Sequence, residues 1–175
     1  MTPTWSVRRV HALDDTQVDE LADVLIDCVA GGASVSFMHP LPRDRAVAFW
    51  RRVARGVAAG ERALLVADDA RGLCGTVQLL LDQPENQPHR ADLQKTLVHR
   101  RARRQGLGEA LMRAAEATAR ECGKTLLVLD TASGEAERLY DRLGWERVGV
   151  IPGYALLPHG GLCGTTVYYR NLGGE

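Results

Sequence analysis

The sequence predicts one mixed α/β domain over residues 1–175, and three observations carry the prediction. Four segments place apolar residues at helical spacing. Seven short runs of apolar and β-branched residues, bounded by Gly, Pro and Asp, read as strands. Their order puts antiparallel-type strands first and a strand–helix–strand–helix unit in the second half. A chain of 175 residues that is 45% hydrophobic is long enough to bury one ordinary core.

Trp5 to Val10 supplies the first strand. Asp14 or Asp15 caps a helix with Val18, Leu21, Leu25 and Cys28 or Val29 on one face, ended by Gly31 and Gly32. A second helix follows Pro42, with Val47, Trp50, Val53, Ala54 and Val57 aligned, and Gly60 suits its stop. Ala63–Ala67 and Cys74–Leu81 form a hairpin about the turn Asp68–Gly72. Gln83–Arg90, with two prolines, is a loop, and Ala91–Val98 a further strand. Leu107, Leu111, Ala115, Ala119 and Cys122 mark a third helix. Thr125–Leu129 is continuously apolar, as a strand buried on both faces would be. Ala136, Leu139, Tyr140 and Leu143 mark a fourth helix, and Trp145–Ile151 and Thr165–Tyr169 are closing strands.

Composition excludes several classes of function. The 22 basic and 22 acidic residues cancel, so no global charge favours a nucleic acid or an anionic membrane. No apolar run approaches the roughly 18 residues needed to span a bilayer, and the first ten lack the apolar core of a signal peptide. The expected location is cytoplasmic. Cys28, Cys74, Cys122 and Cys163 form no C-x-x-C pair, so neither zinc nor dithiol chemistry is expected.

The most informative segment is Arg103-Arg104-Gln105-Gly106-Leu107-Gly108, between an apolar strand and an amphipathic helix. Gly106 and Gly108 have no Cβ, so their backbone N–H groups can approach a ligand closely. The unpaired N–H groups and positive dipole end of the helix favour an anion. Arg103 and Arg104 add charge-assisted bonds. This describes a pyrophosphate cradle, yet neither known nucleotide motif fits. Gly108 is followed by Glu109-Ala110 rather than Lys and Ser or Thr, and the third Gly of G-x-G-x-x-G is replaced by Leu111. The other reading of the run from Arg100 to Arg104 is a nucleic-acid patch. Zero net charge and the lack of aromatic residues within it make that the lesser one.

Val98-His99-Arg100-Arg101-Ala102-Arg103-Arg104-Gln105-Gly106-Leu107-Gly108, followed by Leu111-Met112, resembles the acyl-CoA loop of the GNAT acyltransferases, R/Q-x-x-G-x-G/A. Downstream, Ala136 to Trp145 resembles that family's tyrosine helix ending in Gly-aromatic, in matching order and spacing. The resemblance covers residues 5 to 172. It implies a mostly antiparallel mixed sheet of about seven strands flanked by helices, and acetyl transfer from acetyl-CoA to a small-molecule amine without a metal. It implies no nucleic-acid or membrane partner, and a monomer or a homodimer. A narrower likeness is to the tabtoxin-resistance acetyltransferases, whose acceptor is an amino-acid-like β-lactam. It is carried by Gly31 to Met38, Arg90 to Lys95, Leu129-Asp130-Thr131 and Pro152-Gly153-Tyr154. The rival readings are a protein or peptide N-acetyltransferase and a non-catalytic CoA-binding sensor.

Acetyl transfer needs a neutral amine, a stabilised oxyanion and a proton for the departing thiolate. Asp92 is the first candidate base, and strand alternation sets it on the face of Gln94, Thr96 and Val98. Asp130 is the second, as base or as counter-charge to the substrate ammonium. By resemblance, Tyr140 is the acid for the CoA sulfur, a Val98 N–H meets the oxyanion, and the Leu97 and Val98 backbones bond the pantetheine amides. Ser133 stands where the family often has Asn, and its contact to pantetheine is shorter or missing. Ser34, Phe37 and Tyr154 are expected to line the acceptor site. His99 is expected at the surface.

Overall fold

The first helix begins where its chemistry directs. The Asp14 carboxylate accepts from the Gln17 N–H at 2.8 Å, and the Gln17 side chain accepts from the Asp14 N–H at 3.0 Å. This capping box heads α1 (Asp15–Ala30). Proline at the N-cap opens α2 (Arg43–Ala58). The protein is described by a computed structural model over residues 4–173. Its strands are β1 (Ser6–Val10), β2 (Arg62–Asp69), β3 (Gly72–Leu80), β4 (Arg90–Val98), β5 (Leu126–Thr131), β6 (Glu146–Leu156) and β7 (Leu162–Asn171). The remaining helices are α3 (Leu107–Glu121) and α4 (Gly134–Arg142).

The strands form one seven-stranded sheet in the order β1-β2-β3-β4-β5-β7-β6. Only β4 and β5 run parallel. The sheet divides two apolar layers. On one face α1 and α2 pack Leu21, Leu25 and Trp50 against Leu64, Val66 and Leu97. On the other, α3 packs Leu111 and Met112 against Leu65, Val77, Leu93 and Leu127, joined by Tyr140 of α4. Each such large side chain contributes about 1.5–3 kcal/mol relative to exposure. Among the described residues, no helix is long and apolar enough to cross a membrane.

Three sequence expectations change. The β2–β3 turn is shorter than Asp68–Gly72, because β2 runs on to Asp69 through a bulge at Ala67/Asp68. Strand β6 does not stop at Ile151: it continues past Pro152-Gly153-Tyr154 across an irregularity in its pairing with β7. In β5 only Leu127 and Leu129 are buried, while Leu126 and Val128 are half-buried. The strand is therefore not covered on both faces, and its second face lines a cavity.

Candidate active site

The site begins where two parallel strands separate. Strands β4 and β5 pair only from Arg90↔Leu126 to Asp92↔Val128. Beyond that, β4 pairs with β3 alone and β5 with β7 alone, so a wedge opens in the middle of the sheet. In β4, Lys95 and Thr96 together oppose the single residue Val77, and Lys95 takes a left-handed φ of 53°. This bulge breaks the expected alternation. Asp92 and Gln94 face the α1/α2 side, with Gln94 opposite Gln78. Thr96 instead meets Met112 of α3 (Oγ1 to Sδ, 3.8 Å), and Val98 packs on the α3 side.

The His99 N–H donates to the Cys74 carbonyl at 2.8 Å. Antiparallel alternation then turns the N–H of Val98, the neighbouring residue, away from β3 and toward the wedge. The same alternation turns the Leu97 backbone toward β3, while its side chain fills the α1/α2 core. Of the pair expected at the cofactor, only Val98 presents its backbone there.

After β4 the chain makes a 3₁₀ turn at Arg100–Ala102 and enters α3 through Gly106 at φ 77°. Ala110 N–H is the donor to the Gly106 carbonyl (3.1 Å). The N–H groups of Leu107, Gly108 and Glu109 therefore lie before the first intrahelical bond. A Cβ on Gly106 would meet nothing within 4 Å, whereas one on Gly108 would touch Leu139 of α4 at 3.5 Å. The mouth of the loop is open and its rear is packed.

The arginine run is divided in use. Arg100 binds Asp27 at 2.7 Å and Arg101 binds Asp69 at 3.0 Å. Arg103 donates from Nε to the Val98 carbonyl at 3.0 Å. Arg104, in left-handed backbone, and Gln105 are exposed. Arg100, although exposed, and Arg101, which is mostly covered, anchor the loop through these ion pairs. His99 is only partly exposed: its side chain is 23% exposed and accepts from the Arg101 N–H at 3.1 Å. Burial lowers its pKa, against the pull of Asp27.

Tyr140 approaches the wedge from the α3/α4 side. It is 5% exposed, with ring centroids of Tyr168 at 5.5 Å and Trp145 at 6.0 Å. Burial pushes its phenol up to about 12; a hydrogen bond with Thr96 pulls the other way, and the Asp130 charge adds to the rise. The Asp130 charge, on the neighbouring strand, is thus near enough to act on Tyr140 across the wedge. Ser133 caps α4, its hydroxyl accepting from the Ala136 N–H at 3.3 Å.

Asp130 stands on the opposite face and accepts from Thr165 Oγ1 at 2.7 Å. It lines a cavity of about 260 Å³ with Ser34, Phe37 and Tyr154, three residues expected at the acceptor. A second cavity of about 250 Å³ adjoins it at Asp130, Tyr154 and Thr165, and includes Asp92. Asp92 is engaged otherwise, in an ion pair with Arg90 and a 3.3 Å hydrogen bond from Gln83. Sequence reasoning missed Thr165 and the role of Thr96, since threonines in strands carry no distinguishing signal. The Lys95 bulge was equally hidden, because no glycine marks it.

The model of the acetyltransferase (GNAT) family matches residues 23–145. Among solved structures, the chain is similar to the yncA protein of Salmonella typhimurium with its cofactor acetyl-CoA, at 18% identity and TM-score 0.78, over 98% of this chain and 96% of that one. It is similar to a phosphinothricin acetyltransferase of Sinorhizobium meliloti in complex with acetyl-CoA, at 18% identity and TM-score 0.80, over 97% and 89%. It is also similar to a ribosomal-protein-alanine N-acetyltransferase of Brucella melitensis, at 18% identity and TM-score 0.79, over 95% and 99%. At these identities the likeness establishes the fold.

Proposed function

The chain belongs to the acetyltransferase (GNAT) family, and from that premise we propose that it transfers an acetyl group from acetyl-CoA to the primary amine of a small, amino-acid-like molecule, by direct attack in a ternary complex. The open mouth at Gly106 and the unpaired amides of Leu107, Gly108 and Glu109 fit a pyrophosphate, with Arg103, Arg104 and Gln105 flanking it. The wedge beside Val98 fits a narrow amide-bearing arm. Acetyl-CoA supplies a thioester carbonyl open to attack by a neutral amine.

Asp130 holds the acceptor ammonium and takes its proton, directly or through one water. The Val98 N–H donates to the carbonyl oxygen as negative charge develops. The Tyr140 hydroxyl donates to the sulfur: its raised pKa keeps it protonated at all working pH values, and burial disfavours the thiolate for the same reason. Asp92, held by Arg90, lines only the adjoining cavity, so the base role passes to Asp130.

One observation carries the choice of a small acceptor. The α1–α2 loop is tied to the β6–β7 turn across the cavity end. The His39 N–H donates to the Pro158 carbonyl at 2.9 Å, and the His39 and His159 rings lie 4.5 Å apart. A strap there leaves room for a molecule of amino-acid size rather than an extended peptide. The narrower likeness in sequence adds toxin-like β-lactam amino acids to the candidates, and their acetylation would serve resistance or detoxification.

The test is a thiol-release assay with acetyl-CoA and a panel of amines, amino acids, β-lactam amino acids and peptides. Turnover of free amino-acid-like amines is expected. Turnover of peptides alone would make it a protein N-acetyltransferase, and CoA binding without thiol release a sensor.

A further inference from the structure

We propose that Lys95 binds an anionic group of the acceptor, a carboxylate, while Asp130 binds its ammonium, so that the substrate class is a zwitterionic amino acid rather than a simple amine. This rests on the acetyltransferase reading above and deepens it.

The β4 bulge re-aims Lys95. A non-glycine residue in left-handed backbone is strained, and such geometry persists where it directs a side chain. Here it sends the Lys95 ammonium to the Ser36 hydroxyl, 3.0 Å away, on the loop that lines the acceptor cavity. An ammonium has three donors, and among the described residues Ser36 is its one hydrogen-bond partner. No carboxylate lies within 4.0 Å of it among the described residues. The side chain is half-buried, and burial lowers its pKa, opposed by the Asp130 charge.

Asp130 is thus near enough to act on Lys95 without pairing with it. The other charge acting on Lys95 is Arg62, which is also positive and donates to Gln78 Oε1 at 2.7 Å. Gln78, fully buried opposite Gln94 on the same face, leaves its Nε2 without a partner among the described residues. This face therefore carries surplus donors and surplus positive charge around Lys95, and a carboxylate at Asp130. A half-buried cation with one neutral hydrogen-bond partner and no ion pair is poised to take an anion. A bound carboxylate supplies the missing acceptor, and an amino acid brings carboxylate and ammonium together at short spacing. The anion of the cofactor is not the candidate, because the loop amides at Gly106 lie beyond the end of β4, past Val98, whereas the Lys95 ammonium sits beside Ser36 at the edge of the acceptor cavity.

The experiment is calorimetric titration of the CoA-saturated protein at about pH 6.5, where α-amines are mainly protonated. The probes are L-amino acids, each paired with its carboxamide. The wild type should bind the preferred acid about tenfold or more tightly than its amide. Lys95→Met should bind both at the amide's affinity, and Lys95→Arg should keep most of the preference. Melting temperatures of both variants should stay near wild type, which separates lost recognition from a lost loop tie to Ser36. An acid-to-amide ratio near one in the wild type, or a ratio unchanged in Lys95→Met, overturns the assignment. Thiol release is read in parallel. If acids bind with the Lys95-dependent preference but no thiol is released, the acetyltransferase reading falls and the carboxylate site stands. If amides are acetylated as well as acids, the enzyme stands and the carboxylate site falls.

Discussion

Tyr140 and Asp130 reach the same gap from opposite faces of the sheet, and the division of labour follows from what surrounds each. Tyr140 is enclosed by Tyr168 and Trp145, so it can hold a proton but not easily lose one to water. Tyr140→Phe should lower kcat by about 10²-fold while the acetyl-CoA KM changes by less than about threefold, as steady-state kinetics would record. Asp130 is open to the cavity and oriented by Thr165, whereas Asp92 is neutralised by Arg90. Asp130→Asn should therefore cost about 10²-fold in kcat/KM and Asp92→Asn less than about tenfold. The reverse order would return the base role to Asp92. Asp130 and Tyr140 could be picked out in the sequence because the strand end and the helix that carry them resemble the motifs of a known family. Lys95, Thr96 and Thr165 could not, since a bulge without glycine flips side chains with no compositional trace.

At the scale of elements, the loop before α3 combines one strained glycine and one packed one. Gly106→Ala meets open space but a left-handed φ, and should destabilise by about 1 kcal/mol and weaken acetyl-CoA binding several-fold. Gly108→Ala meets only an ordinary contact inside a helix and should leave both within error or raise stability by up to about 1 kcal/mol. Calorimetric binding and urea unfolding of the two variants check the contrast.

The loop is also fastened to α1. Asp27, 11% exposed, accepts from the Arg100 backbone N–H at 2.9 Å and from its guanidinium at 2.7 Å. Burial pulls the Asp27 carboxyl up, but the Arg100 bonds and the nearby His99 outweigh it and hold it below its ordinary value. A depressed carboxyl stabilises the fold above the unfolded pKa, and the contribution disappears as pH falls through the folded one. Asp27→Asn should thus cost roughly 1–3 kcal/mol at pH 7, and the gap to wild type should narrow below about pH 4 in urea titrations. The helices and most strands were plain from their periodicity and stop signals; the structure chooses Asp14 over Asp15 as the first cap and adds Gly106 as the cap of α3. The run of β6 through Pro152-Gly153-Tyr154 was not, because turn-forming residues there sit in an irregular ladder and not in a loop.

The whole molecule is a sheet with a core on each face and a deliberate failure of pairing between β4 and β5. That failure joins the two faces: the α3 helix start and Tyr140 on one, Asp130 and the acceptor cavity on the other. Seven strands and four helices were readable in order, but the wedge was not, since the absence of hydrogen bonds leaves no mark in composition. Resemblance in the two motifs implied it, and the register of β4 with β5 displays it. Everything proposed for the site depends on this gap and the amides at its end accepting a pantetheine arm and two phosphates. Calorimetric titration of the wild-type protein with coenzyme A tests this most directly. Saturable one-site binding with Kd in the micromolar range is expected; no detectable heat or saturation up to millimolar coenzyme A would mean that the gap does not hold the cofactor.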